Sequence, residues 1–102
     1  MNKHDQLIDI IADELQQRGY TKIHKNIEYN HRKHKGEIDL YAVKDKYVLL
    51  FEMKTNFSTK NFGKAKAQLQ RAKKYYFNKD QRVFKFYVCN IEDPYIRWVI
   101  NK

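Results

Sequence analysis

The sequence predicts an α/β domain in which helices flank a mixed β-sheet, with the element order α-β-β-β-α-β-β. Two segments repeat apolar residues at helical spacing, and five shorter segments are rich in β-branched and aromatic residues. A helix that joins two strands by a crossover makes them parallel, whereas short turns elsewhere predict antiparallel hairpins. Because 102 residues suit one compact core, we assign residues 1–102 to a single domain.

The first helix is predicted over residues 3–18. Asn2 is a suitable N-cap, and Gly19 is suited to the left-handed conformation that ends many helices. The apolar stripe of this helix consists of Leu7, Ile8, Ile10, Ile11, Ala12 and Leu15. The helix is therefore expected to pack one face on the sheet.

Three strands are predicted to follow this helix. Residues 22–30 alternate loosely and suit an edge strand, and the polar residues 31–36 suit a loop. Residues 36–43 form the second strand, with a tight turn at 44–46. Residues 47–55 form the third and carry an unbroken apolar run, which predicts burial on both faces and hence a central position.

The second half begins with a helix predicted over residues 62–78, with capping residues between Ser58 and Asn61. Two strands follow, at 82–90 and 96–101. Because this helix is a crossover, the strands on either side of it are expected to be parallel. Its inner stripe consists of Phe62, Ala65, Leu69, Ala72 and Tyr76.

The charge balance predicts a polyanionic partner. Lys and Arg number 21 against 12 Asp and Glu, a net charge of +9. Nucleic acid is the first candidate partner and an anionic membrane surface the second, while a basic but inert surface is the simple alternative. The one cysteine, Cys89, lies in an apolar run and is expected to be buried. No apolar run is long enough for a bilayer and no signal peptide is evident, so we expect a cytoplasmic protein without membrane contact.

Three charged residues interrupt the apolar strands and form the candidate site. Asp39 lies near the start of the second strand, and Glu52 and Lys54 lie near the end of the third. If the turn at 44–46 makes these strands antiparallel neighbours, the start of one lies beside the end of the other. Two adjacent carboxylates repel unless a cation joins them, and carboxylate, carbonyl and water oxygens are the ligands Mg²⁺ selects. An acid pair bridged to Lys54 at the sheet edge is the structural alternative.

The segment Gly36-Glu37-Ile38-Asp39, twelve residues, then Glu52-Met53-Lys54 resembles the D…ExK core of the PD-(D/E)xK nuclease superfamily. The resemblance covers residues 3–90 and implies a restriction-endonuclease-like fold. It is nearest to the archaeal-type Holliday-junction resolvases. Ile38 stands where the strict motif has proline, as in many members of the superfamily.

This resemblance implies a metal-dependent endonuclease, with Mg²⁺ (or Mn²⁺ in its place) bound by Asp39, Glu52 and the Met53 carbonyl. Lys54 then positions the attacking water. The first helix often supplies a further acid in such enzymes, and Glu14 falls near the edge of the apolar stripe, so it is the expected third acid and metal ligand. The second helix often supplies a glutamine, for which Gln68 is placed better than Gln70. Ordinary surface positions are the alternative for both.

Basic residues bracket the proposed site in sequence. The residues expected to contact nucleic acid are Arg32, Lys33, Lys35, Lys60, Lys64 and Arg71. No reading helix is evident, which favours backbone and shape recognition over base readout. Tyr29, Phe57 and Phe62 suit base stacking, although core or dimer packing is the more usual role of aromatic residues. The histidines lack the spacing of a zinc site.

The predicted function is therefore hydrolysis of DNA phosphodiester bonds, with selectivity for branched structures such as Holliday junctions. Junction resolvases work as dimers, so the resemblance also implies a homodimer, with Phe84, Phe86 or Trp98 at its interface. Three alternatives are kept: a binding module that retains the nuclease fold without activity, a nuclease for linear duplex or single-stranded nucleic acid, and a purely structural protein.

Overall fold

The structure is a computed structural model that describes residues 2–55 and 58–89, together with the backbone of 95–100. Its elements are α1 (Lys3–Gln17), β1 (Lys22–His31), β2 (His34–Lys44), β3 (Tyr47–Lys54), α2 (Thr59–Tyr75), β4 (Arg82–Cys89) and β5 (Tyr95–Ile100). The five strands form one sheet in the order β1-β2-β3-β4-β5. Only the β3–β4 pair is parallel among these strands, so the predicted fold class, element order and crossover are confirmed.

Both ends of α1 are closed as the sequence predicts. The Asn2 side-chain oxygen accepts the Asp5 backbone N–H at 2.8 Å. At the other end Gly19 has φ of +94°, and the N–H groups of Gly19 and Tyr20 return to the carbonyls of Gln16 and Leu15. This pair of bonds satisfies carbonyls that the helix would otherwise leave open, and it needs the positive φ that glycine provides.

The predicted loop at 31–36 is wrong, because the chain turns within two residues. Arg32 takes a left-handed φ of +59°, which allows a tight turn through Arg32 and Lys33. The polar residues on either side therefore remain in the β1–β2 ladder, where His31 pairs with His34 and Asn30 with Lys35. Polarity indicated a loop here, but turn geometry decided the outcome.

The β1–β2 hairpin changes face at its middle. Ile23 packs with α1, but Ile27, four residues later, packs on the α2 side of the sheet. Residues four apart on a regular strand share a face, so the alternation is reversed between them. The cause is Asn26, which has φ of +51°. We call the part of the hairpin beyond this point, residues 27–38, the arm.

The sheet separates two apolar layers. The α1 layer packs Leu7, Ile8, Ile11, Ala12 and Leu15 against Leu40, Ala42, Phe51, Met53 and Val88. The α2 layer packs Ala65, Leu69 and Ala72 against Tyr29, Ile38, Tyr41, Val48, Leu50, Tyr87 and Cys89. Cys89 is buried and β3 is central, as predicted. Phe62 packs against the α2 layer, which is the core role among its two options.

The arm is held close to α2 by Tyr29, whose ring lies across Gly36 on the paired strand. A β-carbon at Gly36 would overlap the Tyr29 hydroxyl and ring, so only glycine leaves room for this side chain. Tyr29 is 9% exposed and belongs to the α2 layer. Gly36 is thus required by a close approach, since its φ is not positive.

Gly36→Ala is expected to displace Tyr29 and lower the free energy of unfolding by about 1–3 kcal/mol, the usual cost of overpacking. Gly63→Ala is the matched control, since nothing lies within 4 Å of a β-carbon there. Because Gly63 lies inside α2, that change should stabilise by up to about 1 kcal/mol. Urea unfolding measures both, and equal effects of the two substitutions would contradict the close approach at Gly36.

Candidate active site

The structure brings Asp39 and Glu52 side by side at one end of the sheet. The β2–β3 ladder ends at the pair Leu40 and Phe51, so the next residue of each strand is Asp39 and Glu52. The Asp39 carboxylate then accepts the Met53 backbone N–H at 2.9 Å. Asp39 is 8% exposed and Glu52 4% exposed. A buried acid thus takes over a backbone donor at the point where the ladder stops.

The proximity of the two carboxyls disfavours a negative charge on both of them at once. Burial raises the pKa of Glu52 to about 9, helped by the charge of Asp39 and a hydrogen bond with it. Lys54 acts in the opposite direction, which places its charge close to Glu52, and Glu37 adds to the increase. At neutral pH Glu52 therefore holds a proton when no cation is bound.

The chemistry of this pair fits a divalent cation. A cation favours both ionised carboxylates and would take the place of the proton on Glu52. Within the described residues, no three His, Cys, Asp or Glu side chains group closely enough to hold a metal by themselves. Mg²⁺ suits such an incomplete set, because it retains waters and is commonly held by one or two carboxylates together with substrate phosphate. The Met53 carbonyl as a ligand stays a prediction.

The structure does not bring Glu14 to this cluster. Glu14 lies near the C-terminal end of α1, where its carboxylate pairs with Arg18 at 2.9 Å and is about half exposed. The residue of α1 that does reach the cluster is His4, ten residues earlier, or about 15 Å along the helix axis. The helical wheel placed Glu14 around the axis but carried no information on its position along the sheet.

His4 is the site residue that sequence reasoning missed. Its Nε2 lies 3.2 Å from Asp39 Oδ2, and its Nδ1 lies 3.7 Å from the Asp5 carboxylate. It is partly exposed, on the first turn of α1. The available signal was weak, because His4 stands before the apolar stripe and outside any metal-binding spacing.

One flank of α2 faces the arm. At 100° per residue, Lys60, Lys64, Gln68, Arg71 and Tyr75 fall on one side of the buried stripe. Two contacts show that this side meets the arm: Arg71 hydrogen-bonds the Tyr29 hydroxyl, and Tyr75 stacks on His34 with ring centroids 3.9 Å apart. We call these five residues the arm-facing flank.

Tyr29 connects this flank to the acid pair. Burial raises the pKa of the Tyr29 hydroxyl, the charge of Arg71 and its hydrogen bond lower it, and the charge of Glu52 raises it again. Arg71 and Glu52 thus both lie within electrostatic range of one hydroxyl. The basic flank and the acid pair are therefore parts of one neighbourhood.

The arm supplies the other predicted basic residues. Arg32 and Lys33 form its exposed turn, and Lys35 follows on β2. An open cleft of about 560 Å³ runs along the arm, with Tyr29, Lys35 and Glu37 among its lining residues. Since the charge of Glu37 also raises the pKa of Glu52, this wall of the cleft lies within electrostatic range of the acid pair.

The two glutamines of α2 have different surroundings. Gln68 lies on the arm-facing flank, and its side-chain oxygen is buried without a hydrogen-bond partner. Gln70 lies on the opposite flank, where its side-chain oxygen accepts the buried Lys85 ammonium at 2.6 Å. The Gln70 side chain is therefore occupied by Lys85, whereas the side-chain oxygen of Gln68 can still accept a hydrogen bond.

Comparison with known proteins identifies the family. The model of the uncharacterised protein family UPF0102 matches residues 8–97. The chain belongs to this family. A UPF0102 protein of Clostridium perfringens (strain SM101 / Type A) is 31% identical over 88 residues, which cover 78% of this chain and 67% of that protein. UPF0102 is a PD-(D/E)xK-like nuclease family, so the predicted resemblance to that superfamily is confirmed, while the nearness to junction resolvases stays a prediction.

A solved structure supports the fold of this UPF0102 chain. The crystal structure of a protein of unknown function, AF1548, aligns with a TM-score of 0.60 at 19% identity. The alignment covers 87% of this chain and 48% of AF1548, so the chain spans about half the length of that protein. At this identity the likeness shows the fold alone.

Some expectations fall outside what the structure describes. Phe57 and the side chain of Trp98 lie outside the described residues. Neither α1 nor α2, within the part of the chain that is described, has the length and apolar character to span a bilayer.

Glu52→Gln is expected to stabilise the metal-free protein increasingly as the pH rises. The Glu52 pKa is about 9 in the folded state against an ordinary value of 4.5. Between these values the folded state binds more protons than the unfolded state, so the free energy of unfolding falls as pH increases. Glutamine removes that decline, a gain on the order of 1–3 kcal/mol at pH 7.

Unfolding in chelator from pH 5 to pH 9 measures this gain. Glu28→Gln, an exposed acid on β1, is the control and should leave the pH profile unchanged. Parallel profiles for wild type and Glu52→Gln would mean that Glu52 does not hold a proton in the folded state.

Proposed function

We propose that this UPF0102 protein is a metal-dependent endonuclease that hydrolyses DNA phosphodiester bonds. The observation that carries the proposal is the buried pair of Asp39 and Glu52, beside Lys54, at a sheet end next to a basic flank and arm. A buried acid pair in which burial raises the pKa of Glu52 destabilises the fold, so it calls for a functional explanation. Binding of a divalent cation that contacts the DNA phosphate would explain why the acid pair is kept.

The roles follow from the chemistry of the side chains. Asp39 and Glu52 would hold Mg²⁺, or Mn²⁺ in its place, and the bound ion would stabilise charge on the phosphate and lower the pKa of a water. Lys54 orients the attacking water and offsets negative charge at the phosphate. Gln68, with its unsatisfied oxygen, is placed on the flank from which it could accept a hydrogen bond from Lys54 or that water.

The arm and the arm-facing flank of α2 are the proposed DNA contacts. Lys60, Lys64 and Arg71 lie along one side of α2, and Arg32, Lys33 and Lys35 along the arm. These side chains neutralise phosphates without reading bases, which suits recognition of a DNA shape. Together with the resemblance to archaeal-type junction resolvases, this favours branched DNA as the substrate and a homodimer as the active form, because symmetric cuts require two sites.

Cleavage of a panel of substrates tests the activity. A four-way junction, a flap, a linear duplex, a single strand and an RNA duplex are incubated with Mg²⁺ or with chelator. Branched DNA is expected to be cut fastest and only with metal. Asp39→Asn and Lys54→Ala should each reduce the rate at least about 100-fold, since the first removes the charge of a metal ligand and the second removes the charge that offsets the phosphate.

Glu14→Gln is the control, because Glu14 lies far from the cluster, and it should cleave at the wild-type rate. Activity of Asp39→Asn at the wild-type rate would contradict the site. Tight, salt-dependent binding with no cleavage of any substrate would instead favour the non-catalytic binding module.

The proposed DNA-binding surface is tested by removing two lysines from the arm-facing flank of α2 and, as a control, two lysines from its opposite flank. The double variant Lys60→Ala/Lys64→Ala should weaken DNA binding and lower the salt dependence of the affinity by about one to two released ions. The matched control, Lys66→Ala/Lys73→Ala, removes the same charge from the flank near Lys85. Fluorescence anisotropy across a salt series separates them, and equal loss from both pairs would indicate nonspecific attraction.

A further inference from the structure

His4 of α1 contacts Asp39, whereas Glu14, the residue of α1 expected at the site, pairs with Arg18. Asp39 Oδ2 has two neighbours that can donate: the Met53 backbone N–H at 2.9 Å and His4 Nε2 at 3.2 Å. A carboxylate oxygen accepts hydrogen bonds, so we assign the hydrogen of this bond to His4 Nε2. The two donors come from different elements, β3 and α1, and converge on one oxygen.

The two contacts on Oδ2 restrict the orientation of the Asp39 carboxylate. With Oδ2 engaged by both donors, the rotation of the Asp39 side chain is restricted from two sides. Neither of these two bonds uses Oδ1, and the Glu52 carboxyl makes a further hydrogen bond with Asp39 in the metal-free protein. This leaves Oδ1 as the oxygen through which Asp39 would hold a cation once the Glu52 proton is lost, and a single oriented ligand suits the near-octahedral geometry that Mg²⁺ requires.

The other ring nitrogen of His4 lies near a second carboxylate. His4 Nδ1 is 3.7 Å from the Asp5 carboxylate, within ion-pair range but beyond a hydrogen bond. The backbone of Asp5 is fixed at the start of α1, since its N–H is bonded to the Asn2 cap. The first turn of α1 thus places the two ring nitrogens of His4 near the carboxylates of Asp5 and Asp39.

We infer that His4 is a positioning residue that holds the Asp39 carboxylate through Oδ2 and so presents Oδ1 to the divalent cation. The inference rests on the proposed function and adds a residue from α1 that the D…ExK motif does not contain. His4 acts through Asp39, and it is not assigned a place among the metal ligands. Residues that orient a ligand from behind commonly change metal affinity 10–100-fold when removed.

The test is Mn²⁺ binding by calorimetry for wild type, His4→Ala and His4→Gln, with no DNA present. His4→Ala should raise the Kd for Mn²⁺ at least about tenfold. His4→Gln, whose amide can donate to the same oxygen, should restore most of the affinity. Glu14→Ala is the control on the same helix and should bind as the wild type does.

Kinetics supply a second readout that a purely structural role would not produce. At saturating Mn²⁺, His4→Ala should lower kcat for the best substrate of the panel while KM stays within about twofold, because DNA contacts lie on the arm and α2. Thermal unfolding in chelator checks that the variants are folded, and the glutamine variant keeps the test decisive if the alanine variant is not.

The outcomes separate this inference from the proposed function. Wild-type protein that binds no Mn²⁺ overturns the metal site, and the role of His4 with it. Wild type and folded His4→Ala with equal Mn²⁺ affinity overturn the role of His4 alone and leave the nuclease proposal standing. A weakened alanine variant that glutamine does not rescue also overturns it, since hydrogen-bond donation would then not be what His4 supplies.

Discussion

The site depends on one interaction, the acceptance of the Met53 backbone N–H by the buried Asp39 carboxylate. This bond joins β2 to β3 beyond the last ladder pair, with a side-chain carboxylate as the acceptor in place of a backbone carbonyl. It also holds Asp39 against Glu52 with little exposure to water. The raised pKa of Glu52 follows from that placement, because burial and a neighbouring carboxylate both disfavour its charge. An energetically unfavourable arrangement is thus imposed by the sheet and stabilised by the two core layers around it.

The surroundings of the pair are asymmetric in charge. On the α2 side, the arm contacts the arm-facing flank through Tyr29 with Arg71 and through His34 with Tyr75. Gly36 allows this closeness because it leaves space for the Tyr29 ring. On the α1 side, His4 contacts the Asp39 carboxylate. A phosphate backbone drawn to the basic side would be repelled by the acid pair unless a cation offset the charge of the carboxylates, so bound metal is expected to strengthen DNA binding.

The opposite flank of α2 has a different function. Lys85 is fully buried there and is bonded to Gln70, while burial and then the charges of Lys73 and Lys66 lower its pKa. This buried ammonium explains why one glutamine of the helix is structural. The other, Gln68, keeps an unsatisfied oxygen on the side that faces the arm. The two glutamines are two residues apart on α2. Gln70 supports the core through Lys85, whereas the Gln68 oxygen is available to the site.

The sequence by itself determined the fold class, the parallel crossover and the meeting of Asp39 with Glu52. These features depend on local regularities: the period of two along a strand, the short turn that joins β2 to β3, and the helix between β3 and β4. Only the tertiary structure decided which residue of α1 completes the cluster. Helical periodicity gives the angle of a side chain about the axis, and the position of the helix along the sheet is set by packing in the α1 layer. That axial position brings His4 to Asp39 and leaves Glu14 with Arg18, and the left-handed residues Asn26 and Arg32 likewise shape the arm in a way that polarity alone did not indicate.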